Sequence, residues 1–161
     1  MNHTDNTIGV LTGNGDGTFN FKTTYATGKG PEGIVAADLN GDGKLDVAVA
    51  NVTDGTVSVL LGNGDGSFQA AVAYAVGASP GHIAVGNLTG NGVLDLVTAN
   101  EGGNTISILM GKGTGSFFPH KDYTAGTSPS ALVLTDFNGD GLLDAAVSNS
   151  GSNNVTLLIQ K

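Results

Sequence analysis

Every 49 residues the chain returns to the same landmarks: Phe19, Phe68 and Phe117; Pro31, Pro80 and Pro129; Asp46, Asp95 and Asp144. Gly13, Gly62 and Gly111 share the offset, as do Tyr25, Tyr74 and Tyr123, and the line Asn2, Asn51, Asn100, Asn149 carries it to both ends. No insertion breaks the period, so the 161 residues hold about three and a quarter copies of one unit. A period of this length marks a repeat architecture.

Within a unit, short apolar runs stand between glycine, asparagine and proline punctuation, which predicts strands. In the middle copy these are "HIAVGNL" at 82–88, "VLDLVTAN" at 93–100, "TISILMG" at 105–111 and a run around 117–125 that follows the turn "GKGTGSF". Nothing sustains a helical period. The 27 glycines fit many tight turns, and the 39% hydrophobic content is enough to build a core. The expected class is all-β. Four short antiparallel strands per repeat match one β-propeller blade, giving about three blades in this chain. The expected divisions are a partial blade at 1–31, blades at 32–80 and 81–129, and a partial blade at 130–161.

The most pointed motif lies between the first two strands of a unit. "DLNGDGKLD" at 38–46 returns 98 residues later as "DFNGDGLLD" at 136–144. Close carboxylates repel unless a cation sits among them, and a hard cation such as Ca²⁺ takes six to eight oxygens from side chains, carbonyls and water. The expected ligands are Asp38, Asn40, Asp42 and Asp46 with the Lys44 carbonyl, and Asp136, Asn138, Asp140 and Asp144 with the Leu142 carbonyl. An EF-hand is excluded, because the last acid stands at position 9 and both flanks are strands. Transition metals would ask for His or Cys, which these loops lack. The middle loop, "NLTGNGVLD", offers Asn87, Thr89, Asn91, the Val93 carbonyl and Asp95; with one carboxylate in place of three it is expected to be weak or empty. Asp16 and Asp65, in "GNGDG" turns, read as turn residues, since Thr114 replaces them in the third copy while the glycines stay.

With the period, the strands and the D-x-N-x-D-G-x-x-D loop in hand, the chain resembles the FG-GAP (VCBS) repeat family, the blade unit of integrin-α-like β-propellers. The resemblance covers essentially the whole chain. It implies Ca²⁺ in the loops at 38–46 and 136–144, an extracellular or cell-surface setting, and a role in adhesion, ligand binding or as an accessory module of a secreted enzyme. Closed propellers need four to eight blades. This arc is therefore expected either to belong to a longer propeller or to join other copies of itself head to tail.

Charge and composition remove other classes. Fourteen acids against six lysines, and no arginine, give a net charge of −8, a poor match for nucleic acid or anionic lipid. No apolar run is long enough for a membrane helix. Without cysteine there are no disulfides or thiolate sites. "MNHTDNT" is not a secretory leader, so the chain is expected to be either unsecreted by that route or a processed piece.

No catalytic constellation stands out. His3, His82 and His120 do not recur in the repeat, and Glu32 and Glu101, the only glutamates, occupy unlike positions. A glycan-active accessory module or lectin remains the alternative. Tyr25, Tyr74 and Tyr123 could stack on sugars, although one aromatic per repeat more often packs between blades. Sequons fall at Asn2, Asn51, Asn87 and Asn154.

Overall fold

A computed structural model describes all residues, Met1 to Lys161. It contains thirteen strands and no helix, in four antiparallel sheets. The first sheet pairs β1 (Thr7–Gly13) with β2 (Phe19–Ala26). The second runs in chain order through β3 (Pro31–Ala37), β4 (Asp46–Asn51), β5 (Thr56–Leu60) and β6 (Val72–Ala75). The third repeats this with β7 (Pro80–Gly86), β8 (Asp95–Asn100), β9 (Thr105–Leu109) and β10 (Lys121–Thr124). The last holds β11 (Pro129–Thr135), β12 (Asp144–Asn149) and β13 (Asn154–Leu158).

The expected strands of the middle copy are all present, with shifted limits. β7 starts at Pro80, two residues early, and a bulge between Pro80 and His82 follows at once. Proline can open a strand because it has no N–H to lose, and the same irregularity recurs after Pro31 and Pro129. The fourth strand is broken: Phe117 pairs singly with Gly111, Pro119 lies in the gap, and regular pairing resumes at Lys121.

The sheets stack face to face, and β4 and β8 show how the sequence arranges it. All six residues of each are buried. Alternate residues of a strand point to opposite faces. Val47 and Val49 therefore pack with Ile8 toward the first sheet, while Ala48 and Ala50 pack with Ile83 and Leu96 toward the third. Val97 and Ala99 then meet Leu132, Ala145 and Val147 of the last sheet. Three apolar cores thus fill the three junctions between sheets. The opening strands β3, β7 and β11 lie against one another along one side of the stack.

The first two junctions also use aromatic rings from neighbouring repeats. Tyr25 meets Phe68 edge-on with ring centroids 5.5 Å apart, and Tyr74 meets Phe117 at 5.4 Å. Tyr25, Tyr74 and Tyr123 pack between neighbouring sheets, as the packing reading expected.

Backbone turns repeat with the same accuracy. Asn6, Gly55, Asn104 and Asn153, each 49 residues apart, all take φ between 52° and 62° in the turn before a unit's third strand. Asparagine and glycine tolerate that left-handed region best.

Phe117 is 4% exposed, whereas its neighbour Phe118 is outward-facing beneath the Lys112 ammonium. Phe117→Ala should lower unfolding free energy by about 3–5 kcal/mol, and Phe118→Ala by at most about 1 kcal/mol. Urea denaturation of the two variants checks the contrast.

Candidate metal centre

The two acidic loops join β3 to β4 and β11 to β12, and their backbones are wound alike. Gly41 and Gly43 have φ of 77° and 80°, and Gly139 and Gly141 have 80° and 87°. A Cβ at any of the four would meet nothing within 4 Å, so glycine is needed for the dihedral angle and not for space.

That winding turns loop N–H groups onto the first acid. Asp38 accepts from Gly41 N at 2.8 Å and Asp42 N at 3.1 Å on one oxygen, and from Gly43 N at 2.8 Å on the other. Asp136 accepts from Gly139 N at 2.6 Å and Asn138 N at 3.2 Å, and from Gly141 N at 2.8 Å. Amide donors favour the ionised form. The Gly43 and Gly141 amides are the largest causes that hold Asp38 and Asp136 below the usual carboxylate pKa of 3.8.

The next two ligand candidates make shorter turns. Asn40 Oδ1 accepts from Asp42 N, and Asp42 Oδ1 from Lys44 N. Asn138 and Asp140 repeat this with Asp140 N and Leu142 N. Asn138 Nδ2 also donates to Asp140 Oδ2 at 2.9 Å, and Lys44 Nζ stands 3.8 Å from Asp42 Oδ2.

The last acid of each loop faces the other way, into the protein. Asp46, Asp95 and Asp144 are buried at the start of β4, β8 and β12. One oxygen of Asp46 accepts from Leu39 N at 2.9 Å and the other from Gly62 N at 2.7 Å. Asp95 holds Leu88 N and Gly111 N, and Asp144 holds Phe137 N and Gln160 N. This carboxylate ties the loop to the end of the unit's third strand in all three copies, and one lone pair on each oxygen remains. A Cβ on Gly62 or Gly111 would fall on the preceding loop's Leu45 or Leu94 carbonyl, so those glycines permit a close approach. No group of three or more His, Cys, Asp or Glu side chains converges to hold a metal. The oxygens of Asp38, Asn40 and Asp42 instead lie along the exposed loop, each turned to its own amide.

In the middle loop Gly90 and Gly92 keep positive φ, Asn91 accepts from Val93 N, and Asp95 keeps its two amides. Asn87, standing where Asp38 and Asp136 do, receives none: its Oδ1 is buried without a partner. Thr89 is exposed. The Asp16 and Asp65 carboxylates serve their own turns, accepting from the N–H and hydroxyl of Thr18 and Ser67.

At the far end of each second strand lies a polar cluster whose role the period alone did not reveal. Asn51, Asn100 and Asn149 are buried. Asn51 Nδ2 donates to Thr56 and Ser58 hydroxyls, and Asn100 Nδ2 to those of Thr105 and Ser107. Gly28 N and Gly77 N close the clusters on Ser58 and Ser107. The signal was present as Asn followed by hydroxyls at five and seven residues. Burial also closes the Asn51 sequon to glycosylation, while Asn2 and Asn154 are exposed.

The histidines are scattered. His82 lies on β7 with a buried, unpartnered Nδ1, and His120 stands by the opposite edge strand of that sheet, 3.6 Å from Asp122. His3 precedes β1. Glu32 on β3 approaches Gly81.

A family model for the FG-GAP-like repeat matches residues 2–49, 38–98 and 87–147. The chain belongs to the FG-GAP-like repeat family. No curated protein is a detectable sequence relative. Among solved structures, a functionally unknown protein from Desulfotomaculum acetoxidans DSM 771 superposes with TM-score 0.73 at 16% identity, over 96% of this chain and 48% of that one. BBS1N, crystallised with ARL6DN and soaked with lead, gives TM-score 0.64 at 13% identity, over 98% and 50%. These likenesses concern the fold. The FG-GAP-like chain spans about half the length of both.

Two measurements separate the roles of these acids. Asp95→Asn puts an amide N–H₂ against a backbone donor and should cost about 1–3 kcal/mol with or without calcium, read by thermal denaturation. Asp38 and Asp136 have folded pKa values below their unfolded ones, so their cradles contribute stability above the ordinary carboxylate pKa. That contribution is lost as pH falls through the folded values. Metal-free Asp38→Asn/Asp136→Asn should therefore lose less stability than the parent between pH 5 and 2, a window placed about the ordinary value near 4.

Proposed function

We propose that this FG-GAP-like chain is a calcium-stabilised β-propeller scaffold, each repeat a blade, that serves extracellular binding, adhesion or assembly and carries out no catalysis. The observation that carries the reading is the duplicated loop. Two half-buried acids, 98 residues apart in sequence, each accept three loop amides, of which the Gly41 and Gly43 pair matches the Gly139 and Gly141 pair, and the intervening loop has an asparagine that its amides leave alone.

The donor set fits a hard cation. Asp38, Asn40, Asp42 and the Lys44 carbonyl offer oxygen only, with Asp46 at the base of the loop; Asp136, Asn138, Asp140, the Leu142 carbonyl and Asp144 do the same. An oxygen accepting one amide keeps a second lone pair. Carboxylates this close in the chain repel one another. Bound Ca²⁺ would supply the positive charge that lets them face one centre, and two ions would bring the net charge from −8 to −4. The protein's part is to fix the loop: the cradle sets its winding, and the buried acid anchors it.

The propeller reading is supported by the stacking of four-stranded sheets through their faces, with β3, β7 and β11 gathered on one side. Neighbours of about twice this length suit a fuller ring. Two of the three tyrosines on which the lectin alternative rests, Tyr25 and Tyr74, are engaged by Phe68 and Phe117.

Isothermal titration with Ca²⁺ should give two sites per chain, and Asp38→Asn/Asp42→Asn should leave one. At a hundredfold excess over Kd, calcium should add about 2.7 kcal/mol to stability for each site. Absence of heat and of any Tm shift at millimolar calcium would sink the reading.

A further inference from the structure

Where glycine follows asparagine, the glycine nitrogen can attack the asparagine side-chain carbonyl, because no Cβ stands in its way. The sequence holds five such steps, at Asn14, Asn40, Asn63, Asn91 and Asn138. The attack needs a glycine N–H that no acceptor holds, a side-chain amide free to leave, and an open approach. The five steps meet these needs unequally.

In the acidic loops the nitrogen is committed. Gly41 N donates to Asp38 at 2.8 Å and Gly139 N to Asp136 at 2.6 Å. Attack on Asn40 or Asn138 must first break a hydrogen bond to a carboxylate, whose charge also opposes loss of the amide proton. In the GNGDG turns the leaving amide is held. Asn14 Nδ2 donates to Thr18 Oγ1 at 2.8 Å and Asn63 Nδ2 to Ser67 Oγ at 2.9 Å. The middle loop differs on each count. Gly92 is the counterpart of Gly43 and Gly141, whose N–H groups donate to Asp38 and Asp136. Asn87 stands where those acids do and keeps its Oδ1 buried and unpartnered, so Gly92 N has no acceptor in the protein. Asn91 and Gly92 are exposed, and nothing lies within 4 Å of a Cβ placed on Gly92. The hydrogen bond that Asn91 does make favours the reaction. Val93 N donates to its Oδ1 at 2.8 Å, facing the oxygen on which charge develops under attack.

We infer that Asn91 is the chain's preferred site of spontaneous deamidation. Gly92 N gives its proton to solvent base and forms a bond to Asn91 Cγ; the Cγ–Nδ2 bond breaks, ammonia leaves and a cyclic imide closes. Water then opens the imide. Cleavage between Cγ and the glycine nitrogen gives aspartate, and cleavage on the main-chain side gives isoaspartate, with the chain running through Cβ and Cγ. The sum is asparagine plus water to acid plus ammonia, with no change of oxidation state. The aspartyl product puts a carboxylate at the repeat position of Asp42 and Asp140, and one further acid takes the net charge from −8 to −9. The isoaspartyl product adds a methylene to the link between β7 and β8. Neither product depends on bound calcium, so the chemistry is followed with a chelator present.

The folded chain is aged in mildly alkaline buffer, digested, and read by peptide mass spectrometry for the mass gain of an NH₂-to-OH exchange. Asn91 should react at least about tenfold faster than Asn40 or Asn138, the barrier that a charge-assisted hydrogen bond adds when it must break first. In the guanidinium-unfolded chain that difference should vanish. Asn87→Asp supplies the missing acceptor and should slow Asn91 toward the rate of Asn40. Asp38→Ala removes an acceptor and should speed Asn40. Equal rates at Asn91 and Asn40 in the folded parent would overturn the inference. So would an Asn87→Asp chain, folded by circular dichroism, whose Asn91 reacts at the parent rate. If that variant does not fold, Asp38→Ala decides, and an Asn40 rate left unchanged overturns the inference.

Discussion

Each inner sheet of this protein is apolar on both faces, and that doubled burial is the constraint from which the rest follows. β4 and β8 expose nothing, so neither could exist at the surface of a two-layer domain. Burying a valine or leucine side chain is worth about 1.5–3 kcal/mol, and here the gain exists only when a sheet has neighbours on both sides. A single 49-residue unit cannot collect it. Stability is then a property of junctions, which explains why the landmarks of the repeat are junction residues: Tyr25, Phe68, Tyr74, Phe117 and the alternating valines and alanines.

The inner strands carry most of their buried polar groups near their ends, and each end is closed by a buried side chain with several partners. Asp46 and its repeats hold the acidic loop at one end, and Asn51 and its repeats hold the next connection at the other. Buried polar groups need such partners, since an unpaired one costs about 1–3 kcal/mol. The loop acids Asp38 and Asp136 are the exception in being only half-buried, and their carboxylates are turned onto the amides of their own loops.

Much of this was legible in the sequence because periodicity is read by counting. The all-β class, the strand order and the packing of the tyrosines between sheets follow from alternation and from single landmarks. What was not legible depended on direction. The acids at 38, 42 and 46 look like one ligand set as text, but Asp46 turns inward to Leu39 and Gly62 amides while Asp38 turns to its own loop. The amide of Gly62 is sixteen residues away from Asp46, and spacing alone does not announce it. The polar role of Asn51 was hidden likewise, because its hydroxyl partners are ordinary strand residues. The limits of β7 and β10 were set by prolines whose effect depends on which edge they occupy.

The junctions are also ordered along the chain, each joining only a unit and its neighbour. The contacts between sheets join adjacent units, so the molecule behaves as a one-dimensional array. Removing an outer sheet uncovers one apolar face and leaves the remaining junctions intact. Loss of structure is then graded from the two ends inward, and backbone amides of β4 and β8 should be the slowest in the chain to exchange with solvent. A fold of this kind frays by shortening before its inner sheets are lost.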